Sequence, residues 1–138
     1  MTHGVKAISR RAHGIADYSI VVVLLSLPTA LGFGGVPRAL AYALSFGHLL
    51  ITALSPFAPG AIPVLPFRVH GNVEAVVGTF LIFSPWALRF STMTAARNSF
   101  VLIGAALLVL ALFTKFDRRL PPVPRVPGDR RRRFAKRR

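Results

Sequence analysis

Residues 69–90 read VHGNVEAVVGTFLIFSPWALRF. The stretch opens with His70 and Glu74, four residues apart, runs on as an apolar segment, and closes on Ser84-Pro85-Trp86 and Phe90. About 20 apolar residues cross the hydrocarbon core of a bilayer as a helix, so this segment is long enough to span. A weaker copy, AHGIADYSIVVVLLSLPTALGF, occupies residues 12–33. Sliding the chain by 57 residues puts His13 on His70, Gly14 on Gly71, Asp17 on Glu74, Pro28 on Pro85 and Phe33 on Phe90. The shift continues without a gap to Ala39 on Ala96 and Gly47 on Gly104. Apolar matches are cheap in such a chain, but coincident His, acid, Pro and Gly are not. The chain therefore reads as two copies of one unit.

Composition agrees with a membrane protein. Of the 138 residues, 53% are hydrophobic and 16% charged, more apolar than a soluble domain. Length allows one domain. The absence of cysteine excludes disulfides, thiolate metal sites and cysteine nucleophiles. Eighteen Lys and Arg face four acids, giving a formal charge of +14, and most of the bases lie at or beyond Lys115.

Four spans follow, at residues 14–33, 38–54, 68–88 and 96–116. The first is too long for a signal-peptide core and resembles a later internal segment, so it is not expected to be removed. Gly32, Gly34, Gly35 and Pro37 make the first turn. Pro56, Pro59, Gly60, Pro63 and Pro66 make the middle connection a loop. The expected organisation is a short N-terminus (1–11), a first two-helix unit (12–56), a proline-rich loop (57–68), a second two-helix unit (69–116) and a Pro- and Arg-rich tail (117–138), which is expected to be disordered. Two spans per unit make the repeat parallel. The expected fold is all-α, a four-helix transmembrane bundle with a pseudo-two-fold axis along the membrane normal. Bases at both termini place them on the cytoplasmic side of a bacterial inner membrane.

His-Gly-x-x-Asp/Glu leading into a helix that closes on Ser-Pro-Trp and Phe resembles the SPW-repeat membrane proteins, small bacterial proteins with two such two-helix units. The resemblance covers about residues 12–116, with Ser84-Pro85-Trp86 as the named motif and LPFRVHGNVE similar to the linker into the second repeat. The first copy departs from it, since Leu27-Pro28-Thr29 has neither Ser nor Trp, and position 74 is Glu where Asp is expected. The resemblance implies an integral membrane fold and no known chemistry.

The residues that could carry function are few. His13 with Asp17 and His70 with Glu74 are i,i+4 pairs, each on one helix face. Ionisable groups inside a span are costly and mark candidate sites. Together they would make a proton-handling cluster or a divalent metal site. Alternatively each pair is a polar clamp, with the acid answering the helix dipole or Arg10, Arg11 or Arg68. No catalytic motif is present, and no metal or cofactor is assigned. His48 reads as a core histidine bonded to a neighbouring helix, with heme or another cofactor as the alternative. Pro28 and Pro85 should bend or end their helices, with Ser84 satisfying a freed carbonyl and Trp86 anchoring at the interface. Ala39, Ala43 and Gly47 form a small-residue stripe for close helix approach, as does Gly104. In the tail, Arg130, Arg131, Arg132, Arg133, Lys136, Arg137 and Arg138 suit anionic lipid headgroups or a protein partner and hold the C-terminus inside; nucleic acid is not expected. The reading these features favour is a non-enzymatic membrane protein that associates with itself or a larger complex. A small transporter or proton-handling protein is the alternative, and a cofactor protein using His48 the third.

Overall fold

The computed structural model describes residues 8–56 and 64–114. Among these it is all helical: α1 (Arg10–Ala30), α2 (Gly35–Ala53), α3 (Phe67–Ala87) and α4 (Thr94–Phe113). The tail, including Arg130, Arg131, Arg132, Arg133, Lys136, Arg137 and Arg138, lies outside the described residues, as does most of the proline-rich loop.

Local chemistry sets the helix ends. Ser9 caps α1 by accepting the Ala12 N–H at 3.2 Å, as N-cap hydroxyls do. Pro66 precedes α3. Both α1 and α3 stop at a residue in the left-handed region: Gly32 at φ +66° and, at the matching position, Arg89 at φ +59°. After α3 the Phe90 N–H reaches the Pro85 carbonyl at 2.8 Å and the Arg89 N–H that of Trp86 at 3.3 Å, which is a Schellman closure. The closures deliver Phe33 and Phe90 to the core, where both ring edges meet Phe100 at centroid distances of 6.5 and 5.2 Å.

The proline positions behave as expected. Pro85 has no N–H for the Leu81 carbonyl, and the Ser84 hydroxyl donates to that oxygen instead at 3.0 Å. Thus the Ser of Ser-Pro-Trp repairs the hydrogen bond that its Pro deletes. Trp86 is exposed on the outside of the bundle. In the first copy Pro28 also lies inside the helix, with Leu27 where the repairing serine would stand.

Helix α1 packs along α2 and α3 along α4; the two hairpins then meet through α1 against α4 and α2 against α3. In the second hairpin the backbones touch. A Cβ on Gly104 would lie 2.6 Å from the Gly78 carbonyl, and one on Gly78 would lie 2.8 Å from that of Gly104. In the first hairpin the helices are instead joined by the Ser45 hydroxyl, which donates to the Val21 carbonyl at 2.9 Å.

The gap-free repeat requires a correction. The turn between α1 and α2 covers residues 31–34, whereas that between α3 and α4 covers residues 88–93, two residues more. A shift of 57 therefore matches α1 with α3, but a shift of 59 matches α2 with α4. The buried face of α2, Pro37, Ala41 and Ser45, corresponds to Ala96, Phe100 and Gly104 on α4. Ala39, Ala43 and Gly47 lie on the exposed face of α2, and nothing among the described residues comes within 4 Å of a Cβ placed on Gly47, so the stripe packs against no helix of this bundle. Among the described residues Gly104 makes the close helix contact, against Gly78.

Large apolar side chains cover the outside of all four helices, among them Ile15, Val22, Phe46, Leu50, Val76, Phe83, Leu102 and Leu112. By length and composition α1 and α4 are apolar enough to cross a membrane. Polar groups such as Arg38 and His48 in α2, and Arg68, His70, Asn72 and Glu74 in α3, lower the mean hydropathy of the other two.

Two stability differences follow. Gly104→Ala should destabilise the detergent-solubilised protein by about 1–3 kcal/mol through overpacking, while Gly47→Ala should be neutral or slightly stabilising; thermal or denaturant unfolding in micelles reads both. Ser84→Ala should cost about 1 kcal/mol or more by orphaning the Leu81 carbonyl, in the same assay.

Candidate functional site

Before Asp117 the chain contains two acids, Asp17 and Glu74. Both are fully buried, and they meet. The i,i+4 spacing puts His13 and Asp17 on one face of α1, and His70 and Glu74 on the matching face of α3. The two faces point at each other across the bundle axis. His13 Nε2 lies 3.4 Å from Asp17 Oδ2 and 3.2 Å from Glu74 Oε2. His70 Nε2 lies 3.1 Å from Asp17 Oδ2 and 3.8 Å from Glu74 Oε2. The result is a closed ring in which imidazole and carboxylate alternate. Each histidine faces the acid of its own helix and that of the other hairpin.

His48 joins the ring from α2, with Nε2 3.6 Å from Asp17 Oδ1 and its ring centroid 6.3 Å from that of His70. It sits toward the C-terminal end of α2, at the level of the ring. Its structural counterpart at a shift of 59 is Leu107, so this corner has no mirror image.

The outer nitrogens of the two ring histidines are held by hydroxyls, each from the end of the opposite hairpin. His13 Nδ1 is 2.8 Å from Thr114 Oγ1, and His70 Nδ1 is 2.8 Å from Ser55 Oγ. Ser55 and Thr114 are themselves related by the shift of 59. The Ser55 hydroxyl donates its one proton to the Ile51 carbonyl at 2.7 Å. It must therefore accept from His70, which places a proton on Nδ1. In a neutral His70 the lone pair of Nε2 then points at the Asp17 carboxylate.

Phe67 closes the ring toward the nearer end of the bundle. It stacks on His70 at 5.9 Å and presents an edge to His13 at 5.3 Å. The Arg10 guanidinium lies over its outer face, 5.1 Å from the centroid, within cation–π range. Arg10 and Phe67 are matching positions in the two units.

The electrostatics are incomplete as drawn. Neither oxygen of Asp17 or of Glu74 completes a hydrogen bond among the described residues, and neither does His48 Nε2 or Thr52 Oγ1. The nitrogen–oxygen distances are those of ion pairs, so the ring has the spacing of charge contacts without the hydrogen bonds that usually accompany them. Two carboxyl groups in a dry interior either keep a proton or need compensating positive charge. The four expected residues, His13, Asp17, His70 and Glu74, are thus brought together. Their side chains are also placed so that each could give one ligand atom to a metal ion, with all four atoms within 4.8 Å of one another.

The geometry and the chain pattern agree with one comparison. The profile of the SPW repeat domain matches residues 11–114. The chain belongs to the SPW repeat family. That span begins just before the first His/acid pair and ends on Thr114, so it includes every ring residue and both hydroxyl partners. No curated protein and no solved structure matches the chain.

Sequence reasoning did not single out Ser55, Thr114 or Phe67, and it set His48 apart from the pairs. The available signal was the difference in turn length between the two units. Counting it would have matched Ser55 with Thr114, both at the ends of helices that face a His-Gly helix start.

Ser55→Ala should release the His70 tautomer while leaving the fold intact. Long-range proton–nitrogen NMR on histidine-labelled protein should show a single Nδ1–H form for His70 in the wild type and mixed forms in the variant.

Proposed function

We propose that this SPW repeat protein is a multi-pass membrane protein whose buried ring binds a cation, either a proton or a metal ion. The observation that carries the reading is the contact of His70 Nε2 with Asp17 Oδ2 at 3.1 Å, combined with the Nδ1 proton that Ser55 requires. A lone pair and a carboxylate oxygen at that distance repel. The contact is attractive only when a proton lies between the two atoms, on the nitrogen or on the carboxyl oxygen, or when a metal ion bridges the pair.

The same reading makes all four helices transmembrane. Their outer faces carry large apolar side chains while both acids and His13, His48 and His70 are buried, the distribution expected where lipid is the solvent. With basic residues at both ends of the chain, the termini belong on the cytoplasmic side of the inner membrane, and the ring lies near that face. Two tandem copies of one two-helix unit account for the matched positions. The basic tail contacts anionic headgroups. The protein is not assigned an enzymatic activity. Cation binding moves ahead of a pure association role because all four paired residues converge.

A second reading has its own support. The ring joins α1 to α3, and so ties the hairpins together at one end. As a clamp alone it would need no exchangeable cation.

The unfolding midpoint of the detergent-solubilised protein, measured across pH 5 to 8 and with added divalent ions, separates the two. Cation binding predicts a midpoint in the wild type that depends on pH, on a metal ion, or on both, and a flat response in the Asp17→Asn/Glu74→Gln double variant. A wild type indifferent to both cations leaves the clamp.

A further inference from the structure

The ring's donors choose among cations. Two are imidazole nitrogens and two are carboxylate oxygens, a set that suits first-row transition metals such as zinc, iron or manganese rather than magnesium or calcium, which take oxygen ligands. We infer that the ring binds one first-row transition-metal dication through Nε2 of His13, Nε2 of His70 and one oxygen each from Asp17 and Glu74. This rests on reading the ring as a cation site, and it names the cation.

Three observations support the assignment. The first is spacing. A tetrahedral ion with ligand bonds of about 2.0–2.1 Å has ligand–ligand edges of about 3.3–3.4 Å. Four of the six ligand–ligand edges, the nitrogen–oxygen ones, run from 3.1 to 3.8 Å and bracket that value, and all six lie within 4.8 Å. The second is charge. Two carboxylates match a dication, in a place where all four side chains are fully buried and the carboxylate oxygens complete no hydrogen bond among the described residues.

The third is orientation. A metal-binding histidine ordinarily donates its other N–H to a fixed acceptor, which sets the tautomer and aims the lone pair. Ser55 does this for His70, and Thr114 Oγ1 stands in the same place for His13. Helix α2 adds His48 beside Asp17 Oδ1. In this arrangement it steadies the second oxygen of that carboxylate and lies outside the set of four ligands.

The test uses the full chain in detergent, stripped with a chelator and then titrated with Co²⁺, Zn²⁺ or Mg²⁺ separately. The expected result is one Co²⁺ per chain with visible d–d absorption, displaced by Zn²⁺ and unaffected by excess Mg²⁺. Asp17→Asn/Glu74→Gln should abolish the spectrum. Ser55→Ala and Thr114→Val should each weaken binding about 10–100-fold without abolishing it, and His48→Ala should retain one ion.

Absence of Co²⁺ and Zn²⁺ binding overturns the inference, as does equal competition by Mg²⁺. If stability still depends on pH in that case, the ring is a proton site and the broader reading survives; if it does not, both fall. Should the carboxylate variants fail to fold, the wild type still decides. Zn²⁺ must shift the Nε2 resonances of His13 and His70 while their Nδ1–H signals persist, and unchanged resonances refute the ligand set.

Discussion

Two carboxyl groups buried inside an apolar bundle are the constraint to which the rest of the structure answers. Asp17 and Glu74 have no water to face, so each needs positive charge within a few ångströms. The chain supplies it from both hairpins at once: His13 and His70 each reach both acids, and His48 adds a third imidazole from α2. The ring is therefore also the place where the hairpins depend on each other most. Hydroxyls extend that dependence, since each ring histidine is oriented from the end of the hairpin to which it does not belong. The chain before each His-Gly helix start does the same: the Ile8 N–H reaches the Phe113 carbonyl, and the Leu65 N–H that of Leu54.

Much of this was legible in the sequence. His and acid at i,i+4, repeated after 57 residues in chains of helix-forming length, fix which faces of α1 and α3 turn inward. In a hydrophobic chain the polar face is the buried one. Ser-Pro-Trp likewise announces a helix end with its own repair, and Ser84 bonds where the missing N–H of Pro85 requires. What failed was the second helix of each unit. A gap-free shift aligned Ala39, Ala43 and Gly47 with the packing face of α4, because apolar residues match almost anywhere. The two extra residues before α4 rotate the correspondence by about 200°, given about 100° per residue. The face that α2 buries is instead the one that carries Ser45, His48 and Thr52. Hydroxyl partners such as Ser55 and Thr114 were invisible for another reason: their role exists only once opposite hairpins are in contact.

The two halves share a plan and differ in chemistry around the ring. Where Ser45 bonds the Val21 carbonyl in one hairpin, Gly104 presses on Gly78 in the other. Where α2 has His48, α4 has Leu107. Where α1 begins with Arg10, α3 begins with Phe67, and the first rests on the second. The ring itself stays nearly symmetric, while its surroundings give it one polar corner at His48 and one aromatic cover at Phe67.

The ring also lies off centre along the bundle. From Phe67 to Glu74 is about 10 Å of helix rise, and from Glu74 to Ala87 about 20 Å. In a bundle that spans the bilayer, an ion arriving at the ring from the nearer face crosses about a third of the thickness. A membrane potential acts on a dication over that fraction with about 1.5 kcal/mol per 100 mV, roughly a tenfold change in occupancy. If the ring is the cation site proposed above, its placement near one end would make its occupancy answer to membrane voltage as well as to cation supply on that side.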